Sequence, residues 1–161
     1  MKEKEIKTNA MRALERANVP YTPHEYDAQG GIDGEHVAAA LGIDPARVFK
    51  TLVAAGKSRA YYVFVIPVSQ ALDLKKAARV AGEKAVNMMP VKDLLAVTGY
   101  VRGGCSPLGM KKAFPTWIDE SARAQEAILV SAGKIGRQVE VAPGALAELA
   151  HARFADLIAA N

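Results

Sequence analysis

The chain has 161 residues, half of them hydrophobic, a formal charge of +4 from 21 Lys and Arg against 17 Asp and Glu, and one cysteine. Folding at this length removes roughly 70% of the accessible surface from water, so extended disorder is excluded, and no apolar run approaches the roughly 20 residues of a membrane span. A single cysteine excludes an internal disulfide and any multi-cysteine zinc or iron–sulfur site.

The N-terminus Met1-Lys2-Glu3-Lys4-Glu5 is mixed-charge with no apolar stretch behind it, so export is not expected and the expected compartment is a reducing cytoplasm. The mild basic excess permits a polyanionic partner without demanding one. No repeat or linker-like tract interrupts the chain, and residues 1–161 are read as one domain.

Taken in order, Thr8 can cap a first helix with Met11, Leu14 and Ala17 on its apolar face, ending before Val19-Pro20. Tyr21 to Tyr26 reads as extended, with Pro23 marking an edge strand. A short helix over Val37 to Leu41 stops at Gly42, and Asp44-Pro45 starts a further turn. Val48 to Ala54 and Ala60 to Pro67 flank Ala55 to Arg59 as a hairpin of two largely buried strands. A helix capped by Asp73 runs to Gly82, and another covers Val91 to Val97 before Gly99. Extended segments follow at Tyr100-Val101, Trp117 to Asp119, Ile128 to Ser131 and Val139 to Val141. Helical pieces at Ala145 to Leu149 and Phe154 to Ile158 close the chain. Seven strands among five or six short helices predict an α/β (α+β) fold with a curved, mixed, barrel-like sheet surrounded by short helices.

Several chemical motifs fail. Gly56-Lys57-Ser58 resembles the end of a phosphate-binding loop, but Thr51 stands where that motif needs glycine. Gly104 and Ser106 begin a nucleophile elbow whose last glycine falls one place late, at Gly109. His24, His36 and His151 are scattered without metal-ligand spacing and read as surface or capping residues, so no metal is expected.

Other features remain open. Lys50 interrupts the apolar run Val48-Phe49 and Leu52-Val53, either snorkelling at a strand end or facing a cleft, where it would attract phosphate or stabilise an oxyanion. Gly103-Gly104 after an extended segment permits close backbone approach to a ligand, or makes a turn. Ser131 to Gly136 offers a hydroxyl, backbone N–H groups and Lys134, or is a hairpin turn. Lys75-Lys76, Lys111-Lys112, Arg102 and Arg137 could line one basic face or be ordinary solvated charges.

Together and in order, Val48-Phe49-Lys50-Thr51-Leu52, Leu72-Asp73-Leu74-Lys75-Lys76, Thr98-Gly99-Tyr100, Gly103-Gly104 with Ser106-Pro107-Leu108-Gly109 and Lys111-Lys112, and Val130-Ser131 with Gly133-Lys134 and Gly136 resemble the YbaK/EbsC family of free-standing editing deacylases, in its Cys-tRNA(Pro) deacylase branch. The resemblance implies a mixed barrel-like sheet related to the editing domain of prolyl-tRNA synthetases. It implies an aminoacyl-tRNA deacylase that removes cysteine from proline tRNA, with the substrate thiol attacking its own ester, and with no cofactor. Carried over by position, Lys50 would hold the tRNA 3′-terminal phosphate or ribose, Gly103 would line the scissile ester, and Ser131 and Tyr26 would orient the cysteinyl group. Ile32, Thr51, Gly104, Ser106 and Gly133 would complete the substrate pocket.

Two departures stand out: Gln29 to Asp33 offers only Ile32 where the family commonly has an aromatic pocket residue, and Cys105 replaces a usual aliphatic and reads as a neutral filler. The implied partners are mischarged Cys-tRNA and prolyl-tRNA synthetase, with no membrane and no DNA. An alanyl-tRNA(Pro) deacylase and a noncatalytic tRNA- or synthetase-binding module are the alternatives.

Overall fold

The computed structural model describes residues 7–160; the mixed-charge stretch at positions 1–5 lies outside them. Polar caps set the helices. Thr8 Oγ1 accepts from the Met11 N–H and opens α1, Asn9–Arg16. Asp33 opens α2, Gly34–Leu41, which Gly42 closes. Asp73 accepts from the Lys75 and Lys76 N–H groups to open α3, Leu74–Ala81. Each cap satisfies first-turn N–H groups that have no partner within the helix. α1 buries Ala10, Met11 and Leu14, whereas Ala17, expected on that face, is the exposed C-cap, because the helix has already ended at Arg16.

The strands form two sheets. β1, Thr22–Glu25, pairs with β7, Arg137–Val141, which pairs with β6, Ile128–Ser131, in an antiparallel sheet that leaves Pro23 on an edge strand. The second sheet is mixed, in the order β4 (Val86–Met88), β2 (Phe49–Gly56), β3 (Tyr61–Pro67), β5 (Thr116–Asp119) and β8 (Ala152–Ala155). Two further helices, α4 (Val91–Thr98) and α5 (Pro143–Ala150), complete the mixed α/β fold.

Among the described residues eight strands therefore replace the seven expected, through three differences. Tyr100-Val101 forms no strand: the Tyr100 N–H donates to Thr98 Oγ1 and the Gly104 N–H to the Val101 carbonyl, so the segment turns on itself. Val86–Met88 is too short to signal itself, yet it finds backbone partners on β2. Phe154 to Ile158, expected as helix, is extended, because β5 offers a parallel ladder to residues 152–155 and buried Asp119 accepts from the Leu157 N–H. Tertiary pairing overrides local propensity here.

β3 is buried on both faces, which is why it reads as a continuous apolar run. Val63 and Val65 join Phe49, Val53, Ile118, Ile128, Val130 and Leu146 in the main core, while Phe64 and Ile66 pack with Ala77 and Ala78 of α3 on the other side. Burying each of the larger of these side chains contributes about 1.5–3 kcal/mol. A third cluster, Val37, Ala38, Val48, Val68 and Leu129, lies beneath α2.

The junction of the two sheets positions the site. The Val68 N–H donates to the Val48 carbonyl and the Gly56 N–H to that of Ala60, so the even-numbered residues of β2 bond β3 and the odd-numbered ones face the opposite edge. That edge meets β6 through a bridge between Val48 and Leu129, and meets β4 from Ala54 onward. Among the described residues no strand covers the edge between these contacts, and the Lys50–Leu52 segment opens there onto a cleft. Among the described residues, no helix is long and apolar enough to cross a membrane.

Candidate active site

The cleft has two connected parts. An inner chamber of about 80 Å³ lies between β2, which contributes Lys50 and Thr51, and the small sheet, which contributes Ser131 and Gln138. Gly103 and Cys105 line its back, and Ile32, Gly34 and Val37 cover it from the start of α2. An outer groove of about 740 Å³ shares Ile32, Lys50, Thr51, Gly103 and Cys105 and extends along Met88, Met89, Val91 and Leu94, with Glu35 and Arg102 among its charged residues.

α2 can sit over the chamber because residue 34 lacks a side chain: a Cβ there would lie 2.1 Å from Val68 Cγ1. Gly103 has φ +86°, and a Cβ on it would come within 3.1 Å of Ile32. A left-handed glycine thus brings bare backbone to the chamber wall.

Lys50 is half-buried and, between the two readings open to it, faces the cleft. Burial lowers its pKa, and the Glu35 carboxylate opposes that shift. Ser131 Oγ accepts from the Gly133 N–H at 3.1 Å, which leaves its O–H available to donate elsewhere. The Cys105 thiol is pushed up to about 12, chiefly by burial, so it stays protonated near neutral pH and is a poor nucleophile. The inner chamber's lining contains no His, Asp or Glu. Among the described residues no cluster of three or more His, Cys, Asp and Glu could hold a metal ion.

Of the nine residues singled out in the sequence, Lys50, Thr51, Gly103, Ile32 and Ser131 converge on the chamber. Tyr26 lies just behind it, packed against the cluster of Val37, Val48 and Leu129, with its hydroxyl buried and unpartnered. Gly104, Ser106 and Gly133 are outside the lining. A Cβ on Gly104 would press on the Ile135 backbone, one on Gly133 would meet the Tyr100 ring, and Ser106 Oγ accepts from the Leu108 N–H. The two glycines let the 100–109 loop and the β6–β7 turn pack closely together, and Ser106 braces the loop from within.

His24 pairs with Glu140, His36 with Asp33, and His151 caps α5. Of the six basic residues that could have formed one face, Lys76 pairs with Asp156, Arg137 pairs with Glu25 and Arg102 lines the groove. Gln138 joins the site without having been singled out. Its signal was a polar residue one position ahead of Val139-Glu140-Val141, on the face opposite the apolar core.

The sequence profile of the aminoacyl-tRNA editing domain matches residues 32–149, which contain all the chamber residues named above. The chain belongs to the aminoacyl-tRNA editing domain family. It is 50% identical over 157 residues, 97% of its own length and 96% of the other's, to EbsC of Enterococcus faecalis (strain ATCC 700802 / V583), provisionally named a Cys-tRNA(Pro)/Cys-tRNA(Cys) deacylase. It is 30% identical over 111 residues to a proline–tRNA ligase of Shouchella clausii (strain KSM-K16), covering 68% of this chain but 19% of the ligase. A crystal structure provisionally described as a trans-editing enzyme for prolyl tRNA synthetase superposes with a TM-score of 0.82 at 25% identity, covering 97% of this chain and 100% of that one. The editing-domain fold thus runs through both sheets and the cleft at their junction.

Proposed function

We propose that this editing domain, comprising the whole chain, is a trans-acting deacylase that removes cysteine from mischarged Cys-tRNA(Pro). The observation that carries the reading is the inner chamber. A cation, a bare glycine backbone and a serine hydroxyl surround about 80 Å³ of space, roughly half the ~150 Å³ of a cavity that takes benzene. That suits a cysteinyl side chain and excludes large ones. The chamber offers neither an activated nucleophile nor a general base, so the chemistry falls to the substrate. The cysteinyl thiolate attacks its own ester carbonyl, a C–S bond forms as the C–O bond breaks, and the tRNA 3′-oxygen leaves and takes up a proton. The products are cysteine thiolactone and free tRNA.

In this reaction Lys50 steadies the negative charge at the ester or the terminal phosphate, the Gly103 backbone borders the carbonyl, Ser131 holds the cysteinyl group folded, and Tyr26 supports the chamber wall from behind. Intramolecular placement of this kind supplies roughly 7–11 kcal/mol of a barrier. The 50% identity with EbsC over nearly the full length supports this substrate. The ligase match and the trans-editing neighbour support docking on prolyl-tRNA synthetase as the source of tRNA selection.

The test is a panel of aminoacyl-tRNAs scored for ester loss, with product analysis. Cys-tRNA(Pro) should be cleaved with release of thiolactone, and seryl- and alanyl-tRNA should persist. Preferential loss of alanyl-tRNA(Pro) would assign the alanyl activity instead, and no loss from any ester would leave a binding module. Rapid cleavage of S-methylcysteinyl-tRNA would assign the attack to water.

A further inference from the structure

The inner chamber contains an unmet hydrogen-bonding demand. Gln138 is 5% exposed, lines the chamber, and its Oε1 is buried without a partner; Thr51 Oγ1, from the opposite wall, is likewise buried and unpartnered. Leaving a buried polar group unpaired costs about 1–3 kcal/mol. A central strand of a small antiparallel sheet would carry an apolar residue at that position more cheaply. Gln138 also has a defined direction. It pairs in register with Ser131 on β6 and with His24 on β1, so the three share one face. His24 is engaged by Glu140 and Ser131 Oγ by the Gly133 N–H, and neither occupies the Gln138 oxygen.

We infer that Gln138 is a specificity-determining residue whose carboxamide oxygen, together with Thr51 Oγ1, accepts hydrogen bonds from the α-amine of the aminoacyl ester. This assignment rests on the deacylase reading and deepens it. An amide oxygen can only accept, so the ligand atom that meets it must donate. A cysteinyl ester has two kinds of donor, the α-amine and the thiol. The thiol gives up its proton to attack, so a thiol held as a donor would be held unreactive. The amine has at least two N–H groups and takes no part in bond making. Neutral acceptors also suit a chamber that contains the Lys50 cation and no carboxylate, since they bind an amine without demanding that it be charged. The functional consequence is that the enzyme reads the free α-amine as well as the thiol, and disfavours esters whose amine is absent or blocked.

The experiment compares two esters of one tRNA, both made by ribozyme acylation: the cysteinyl ester and the 3-mercaptopropionyl ester, which keeps the thiol and lacks only the amine. Wild type should cleave the cysteinyl ester at about ten- to a hundredfold higher kcat/KM, the range expected of one or two such hydrogen bonds. Gln138→Met, of similar volume, should lose most of that advantage while retaining its rate on the amine-free ester, and Gln138→Glu should keep the preference. Equal cleavage of both esters by wild type overturns the assignment without any variant. So does an unchanged preference in Gln138→Met, or an equal fall on both esters. Wild-type protein inactive on the cysteinyl ester would overturn the deacylase reading and this assignment with it.

Discussion

Lys50 is held half-buried in the cleft at a cost in stability. Its pKa is lowered by burial, so between the folded and the ordinary value the unfolded chain binds the extra proton and stability rises with pH. Below that window the folded protein bears the full penalty of a buried charge. Lys50→Met should therefore be more stable than wild type at pH 7, and the gap should narrow as pH rises towards 10; calorimetric melts across that range check it. The same variant and Lys50→Ala should lose about a hundredfold in deacylation, on the order of 3 kcal/mol of transition-state stabilisation. A variant with wild-type turnover would remove Lys50 from the chemistry. Cys105 makes the opposite prediction. With its thiol pushed up to about 12, alkylation by iodoacetamide at pH 8 should be far slower in the folded protein than in urea. Cys105→Ala should retain activity within a few-fold, and inactivation with the fold preserved would restore covalent catalysis by the enzyme.

At the scale of elements, the cleft depends on how closely α2 lies against the turn that follows β3. Gly34 occupies the first turn of α2 with Val68 directly beneath it. Alanine favours a helix over glycine by about 1 kcal/mol, but overpacking a buried contact costs typically 1–3 kcal/mol. The 2.1 Å approach of a Cβ to Val68 Cγ1 makes the clash the larger effect. Gly34→Ala should thus lower the melting temperature and, by lifting α2 off the chamber, reduce kcat/KM. Because the obstacle is a side chain rather than backbone, adding Val68→Gly, which removes both Cγ1 and the Cβ that would lie 2.3 Å from the new methyl group, should recover part of both losses. Additive damage in the double variant would show that residue 34 does not act through Val68.

For the whole molecule, a charge of +4 can neutralise only a few phosphates at a time. With about three or four contacts, log K for tRNA should fall with log salt with a slope of about −2 to −4. The basic residues are also divided, with Lys76 and Arg137 bound up in ion pairs and Arg102 lining the groove. The isolated protein should therefore bind cognate and noncognate tRNAs with similar, salt-sensitive affinity, measurable by filter binding. Prolyl-tRNA synthetase should sharpen the selection; strong, salt-insensitive preference for proline tRNA by the protein alone would contradict this.

Features written in a few adjacent residues were legible in the chain itself: the caps Thr8 and Asp73, the hairpin around Ala55 to Arg59, and the doubly buried run of β3. So was the anomaly of Lys50 within an apolar strand, since each is a local departure from periodicity. The 152–155 strand and Val86–Met88 were not legible, because both are made by backbone partners far away in sequence, and the local pattern of the first even pointed to helix. Gln138 went unnoticed for the same reason. On its own it is a polar residue at the start of a strand; only the register that sets it beside Ser131, and the gap between the sheets that brings Thr51 opposite, make it a buried acceptor without a donor. The amino-acid order determined the locally signalled elements and the chemical inventory, and the tertiary structure decided the strands made by distant pairing and which groups share about 80 Å³ of space, because pairing, burial and hydrogen-bond demand are properties of neighbours rather than of residues.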